Sequence, residues 1–101
     1  MDKYRLSEVA KSDLKRIYIR GLFEFGEKQA DEYYNAFFER FKLIAEQPLL
    51  YPSAENIRPG YRRSVCGVDS IYYRIADDNV VEIMTIIGHQ DIAEWLKKLE
   101  L

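Results

Sequence analysis

Three prolines between Gln47 and Gly60, at positions 48, 52 and 59, divide this chain into two halves whose apolar residues repeat with different periods. Proline lacks a backbone N–H and fixes φ, so the stretch is a connection rather than a helix or strand. Before it the period is helical. Tyr4 to Leu6 make a short strand-like start, and Ser7 then stands where a helix N-cap is wanted. Ala10, Leu14, Ile17 and Gly21 fall on one stripe, widened by Tyr18, Leu22 and Phe25. Gly26 interrupts the pattern, and a second helix is expected from about Glu27 to Glu46, with Ala30, Tyr34, Phe37, Phe41 and Ile44 at helical spacing until Pro48 ends it. So short a break favours an antiparallel helical hairpin.

After the connection the period is that of strands. "YRRSVC", "SIYYRI" and "VVEIMTII" are short β-branched and aromatic runs, separated by turn signals at Gly67-Val68-Asp69 and Asp77-Asp78-Asn79. They predict an antiparallel meander in which Ile71, Tyr73 and Ile75 share one face of the middle strand and Tyr72 and Arg74 the other. The tail is amphipathic again, with Asp91 as N-cap and Ile92, Trp95, Leu96 and Leu99 on one face. The fold class is therefore α+β: an N-terminal strand, a helical hairpin packed on an antiparallel β-sheet, and a short C-terminal helix.

A chain of 101 residues is expected to form one domain, residues 1–101. Apolar residues make up 48% and charged residues 32%, the balance of a folding chain. No apolar run approaches the roughly 20 residues that span a bilayer, and the start, "MDKYRLSEVAKSDLK", is charged where a signal peptide needs an apolar segment. A cytoplasmic protein without a membrane partner is expected. One cysteine, Cys66, and one histidine, His89, give no basis for a disulfide or a metal site, and no cofactor is expected. A net charge of −2 argues against nonspecific attraction to nucleic acid. The arginines are nonetheless clustered, with Arg58, Arg62, Arg63 and Arg74 in a stretch whose one acid is Asp69.

There is no Gly-rich phosphate loop, G-x-S-x-G, H-E-x-x-H or C-x-x-C. Two readings of the polar sheet face stay open. Arg62, Tyr72, Arg74 and His89 could cleave RNA, with imidazole or phenol moving a proton and the guanidinium groups stabilising phosphate charge. Equally, they are the polar residues any solvent-facing sheet needs. The aromatic row Tyr33, Tyr34, Phe37, Phe38 and Phe41 reads as core packing, because its spacing fits a hairpin that covers a sheet. No acid or nucleophile is fixed beside His89 except Asp91, which serves better as a cap, so His89 is read as a contact rather than a general base.

The order of elements, together with "GEKQADEYY" entering the second helix, "IRPGYRR" leading into the sheet, "IYYRI" in the central strand and "IIGHQDI" after the last strand, resembles the ParE branch of the RelE/ParE superfamily. That resemblance covers nearly the whole chain. It implies a toxin of a type II toxin–antitoxin module that poisons DNA gyrase by binding, is silenced by a ParD-like antitoxin in a hetero-oligomer, and has no sequence-specific DNA binding of its own. RelE-like relatives instead cut messenger RNA on the ribosome, which is the alternative. The acidic balance and a tail poor in basic and aromatic residues depart from that nuclease pattern. On the ParE reading, the surplus apolar positions Leu22, Tyr33 and Phe38 line a groove for the antitoxin. Arg58, Arg62 and Arg63 form a basic patch for a partner. His89, Gln90 and Trp95 belong to a docking tail.

Overall fold

The computed structural model describes residues 3–88. In chain order these form β1 (Tyr4–Leu6), α1 (Glu8–Phe25), α2 (Glu27–Glu46), β2 (Arg62–Cys66), β3 (Asp69–Ile75) and β4 (Val81–Gly88). The predicted C-terminal helix lies outside the described residues.

Ser7 caps α1 as expected. Its Oγ accepts from the Ala10 N–H at 3.0 Å and donates to the Met84 carbonyl at 2.7 Å, so the cap also ties the helix to β4. Gly26, at φ +89°, serves both helices. Its N–H donates to the Leu22 carbonyl that ends α1, and its carbonyl accepts from Ala30 in the first turn of α2. An L side chain resists that φ, which is why the turn between the helices is a glycine.

The sheet runs β1-β4-β3-β2. The β2-β3-β4 meander is antiparallel as predicted, whereas β1 joins parallel to β4, with Tyr4 opposite Val81 and Leu6 opposite Ile83. The whole sheet is therefore mixed. A parallel neighbour needs a long crossover, and the helical hairpin begins that crossover directly after β1. Between β3 and β4 the register steps from Tyr72–Thr85 to Tyr73–Ile83, leaving Met84 as the extra residue of a bulge. Asp13 of α1 holds this bend, its Oδ2 accepting from Thr85 Oγ1 at 2.7 Å and the Ile86 N–H at 3.0 Å.

The main core lies between the hairpin and the sheet, where Leu14, Ile17, Phe37 and Phe41 meet Ile71, Tyr73, Ile83 and Ile86. Two expectations are corrected here. The apolar stripe of α1 is not buried to its end: beyond Ile17 no α1 side chain is buried, and Phe25 is 64% exposed. Nor is the far face of the sheet open. The connection folds over it through bonds such as Ala54 N–H to Tyr61 carbonyl (2.7 Å) and Arg63 N–H to Pro52 carbonyl (3.0 Å). It buries a second cluster of Ala54, Tyr61, Tyr72 and Ile87. Among the described residues no helix is long and apolar enough to cross a membrane.

Candidate functional site

The exposed end of the hairpin stands beside the β2–β3 turn, and Tyr33 of α2 joins the two. The Val68 N–H donates to its hydroxyl oxygen at 3.2 Å, and the hydroxyl proton faces two acceptors at 2.8 Å, the Cys66 carbonyl and Asp69 Oδ2. Burial first, and then the hydrogen bond to Asp69, raise the Tyr33 pKa far above the ordinary phenol range. The phenol is a fixed donor, not a base. Gly67 takes φ +62°, and a Cβ there would lie 2.5 Å from the Tyr33 ring, so both backbone and space demand glycine. Asp69 is fully buried, 3.6 Å from Arg20 Nη2, and its Oδ1 has no hydrogen-bond partner among the described residues.

In front of this turn lies a groove of about 720 Å³ bounded by Gly21, Phe25, Ala30, Tyr33, Ala36 and Val68. A Cβ on Gly21 would sit 3.4 Å from Ala30 Cβ, so small residues let the two helices close up here. Arg20, Glu24 and Glu32 line its polar parts. A surface of this form can hold an apolar segment of another chain; it brings together no nucleophile with an adjacent base.

Of the groove residues expected from sequence, only Tyr33 lines it. Leu22 is 36% exposed but stands outside the lining, and Phe38 packs edge-on against Phe41 at 5.5 Å, a core contact. The arginines separate. Arg62 lies opposite Tyr73 and Arg63 opposite Tyr72, so the two guanidinium groups leave from opposite faces of the sheet. Arg62 donates from Nη1 to the Tyr51 carbonyl at 2.7 Å. Arg58 and Arg63 are exposed, and their side chains make no hydrogen bond or ion pair among the described residues.

The described members of the RNA-cleaving set, Arg62, Tyr72 and Arg74, are likewise not brought together. Tyr72 is 1% exposed beneath the connection. Arg74 is held by Glu82, with Nη2 to Oε1 at 2.7 Å, and Arg5 reaches the same carboxylate at 3.6 Å. Arg5 also bonds Asp78 at 2.9 Å and holds that carboxyl below the usual range. His89, Gln90 and Trp95 lie outside the described residues. Burial raises the Cys66 thiol pKa, in keeping with a structural role. Among the described residues no group of three or more His, Cys, Asp or Glu side chains is placed to hold a metal.

Gly67 and Asp69 were missed as site residues because their meaning depends on a contact with Tyr33, and Arg20 because it depends on Asp69, in each case a partner distant in sequence. The only local signal was the Gly67-Val68-Asp69 turn.

Residues 4–93 match the family described as the ParE toxin of the type II toxin-antitoxin system, parDE. Toxin ParE1 of Caulobacter vibrioides is 36% identical over 92 residues, covering 91% of this chain and 93% of that protein. Toxin ParE1 of Mycobacterium tuberculosis is 26% identical over 88 residues, 87% of this chain and 89% of that one. Among solved structures, the chromosomal ParDE system of P. aeruginosa superposes with a TM-score of 0.76 at 19% identity, covering 87% of this chain and 96% of the other. The toxin–antitoxin complex RelBE2 of M. tuberculosis gives 0.55 at 21%, with 86% and 96% covered, so both share the fold. With the family match spanning nearly its whole length, the chain belongs to the ParE toxins of type II toxin–antitoxin systems.

Proposed function

We propose that this ParE-type toxin acts by binding, that its target is DNA gyrase, and that a ParD-like antitoxin silences it by occupying the groove at the hairpin tip. The observation that carries this reading is the contrast between the two candidate sites. The groove is open, apolar and stiffened by the Tyr33 bonds. The RNA-cleaving set is split, with Tyr72 buried, Arg74 paired to Glu82 and Arg62 on the opposite face. Binding energy comes readily from the first arrangement, and proton transfer to a large RNA is obstructed in the second. The likeness to a ParDE assembly supports an antitoxin as the occupant.

Expression of the chain in bacteria without an antitoxin tests the reading. Filamentous growth arrest with induction of the DNA-damage response is expected. Growth arrest with rapid loss of translated messages and no DNA-damage response would assign the chain to the RelE-type mechanism instead.

A further inference from the structure

Strand β4 delivers the rest of the chain to the rim of the groove. Its last residue, Gly88, is the rung partner of Asp69, and the two residues before Asp69, Gly67 and Val68, line the groove. Residues 89–101 follow, outside the described residues. Asp69 is fully buried; its Oδ2 accepts from Tyr33 and lies 3.6 Å from Arg20, while its Oδ1 has no hydrogen-bond partner among the described residues. A buried carboxylate oxygen without a donor is costly, and Gly88 has no side chain to offer one. The first side-chain donors past that rung are His89 and Gln90. The groove itself combines the small residues Gly21, Ala30 and Ala36 with the exposed apolar side chains of Phe25 and Val68. That surface has room for a large side chain, and the sequence sets Ile92, Trp95, Leu96 and Leu99 at the spacing of one helical face.

We propose that residues 89–101 fold back over this groove in the free chain, with the His89-Gln90 step supplying the donor for Asp69 Oδ1 and Trp95 seated against Gly21 and Ala30. The lengths agree. From Ile17 to Phe25 the groove runs about 12 Å along α1, and residues 92–101 as a helix reach about 15 Å. Residues 89–91, extended, add about 10 Å to bring that helix from the rung to the groove. The tail carries charges of both signs, Asp91, Glu94, Lys97, Lys98 and Glu100, so burial of the apolar face supplies the affinity rather than charge. The inference goes beyond the function argued above and holds whichever partner takes the groove. Such a partner binds only the fraction of chains whose groove is open, so the tail sets its apparent affinity.

Trp95 is the only tryptophan, so its fluorescence reports the tail alone. Its emission and acrylamide quenching are measured in the full chain, in the same chain in urea, and in three variants shown folded by circular dichroism. Phe25→Asp and Val68→Asp change exposed residues of the groove, whereas Phe23→Asp changes a residue that is 88% exposed and does not line it. The native chain is expected to emit to the blue of the urea sample and to be quenched severalfold less, at every protein concentration. Both groove variants should shift the emission to the red and raise the quenching severalfold, and Phe23→Asp should change neither. Nuclear Overhauser contacts from the Trp95 indole to the Ala30 and Ala36 methyl groups are expected in the native chain. Quenching equal to that in urea, shielding untouched by both groove variants, or shielding lost equally in Phe23→Asp overturns the proposal. Shielding that vanishes on dilution assigns the groove to the tail of a second copy and overturns it as well. Each of these results is read on the chain alone, so the assignment of gyrase and antitoxin stands or falls separately.

Discussion

At the scale of single residues, Tyr33 and Gly67 decide the shape of the candidate site. Gly67→Ala adds a left-handed backbone penalty of roughly 1 kcal/mol to a 2.5 Å contact with the Tyr33 ring. We expect a loss of about 2–3 kcal/mol in urea unfolding, and a change within about 0.5 kcal/mol would show that the turn is free to move away. Tyr33→Phe keeps the ring but strips the Val68 N–H and Asp69 of their shared partner. That change should cost about 1–3 kcal/mol and raise amide exchange at Val68. Tyr33 was read from sequence as a groove position, but its bonds to the β2–β3 turn were not readable locally. Tyr33 appears in the sequence as one member of an aromatic row, and it lines the groove only because Cys66, Val68 and Asp69 arrive opposite it from the other half of the chain.

At the scale of elements, Ser7 does two tasks, capping α1 and bonding the Met84 carbonyl of β4. Ser7→Ala should therefore lose more than an isolated cap, about 1–2 kcal/mol by thermal unfolding. The helices were legible because capping, the break at Gly26 and the stop at Pro48 are local signals; α1 and α2 occupy the predicted spans. The meander was legible by the same logic of turn residues and alternation. What alternation could not reveal was the fate of the second sheet face. Tyr72 sits on a strand face that reads as polar, yet the Pro-rich connection supplies Ala54, Ile57 and Tyr61 to cover it. Placement of β1 was equally hidden, since three residues carry no information about which strand they join. The tail from His89 onward, expected to dock, lies beyond the described residues.

At the scale of the whole molecule, the buried phenols couple stability to alkaline pH. Burial lifts the Tyr73 pKa from 10.0 to about 12, with Arg62 opposing, and its hydroxyl donates to the Pro48 carbonyl. An unfolded chain loses this proton near pH 10 while the folded one retains it, so the stabilisation is complete below pH 10 and is lost as pH rises to about 12. The loss should be on the order of 2–3 kcal/mol. Tyr33 acts in the same direction, and Tyr73→Phe should flatten part of the pH dependence of urea unfolding. Charge and shape together support the proposed binding role: an acidic chain with an apolar groove at one end of its hairpin and arginines dispersed over two sheet faces. The most direct measurement combines purified chain, DNA gyrase and supercoiled plasmid, with reactions stopped in detergent and protease and the DNA resolved on a gel. Accumulation of linear plasmid, abolished by adding a ParD-like antitoxin, is predicted. Intact plasmid at every toxin concentration, with cut messenger RNA in a parallel ribosome reaction, would contradict the account.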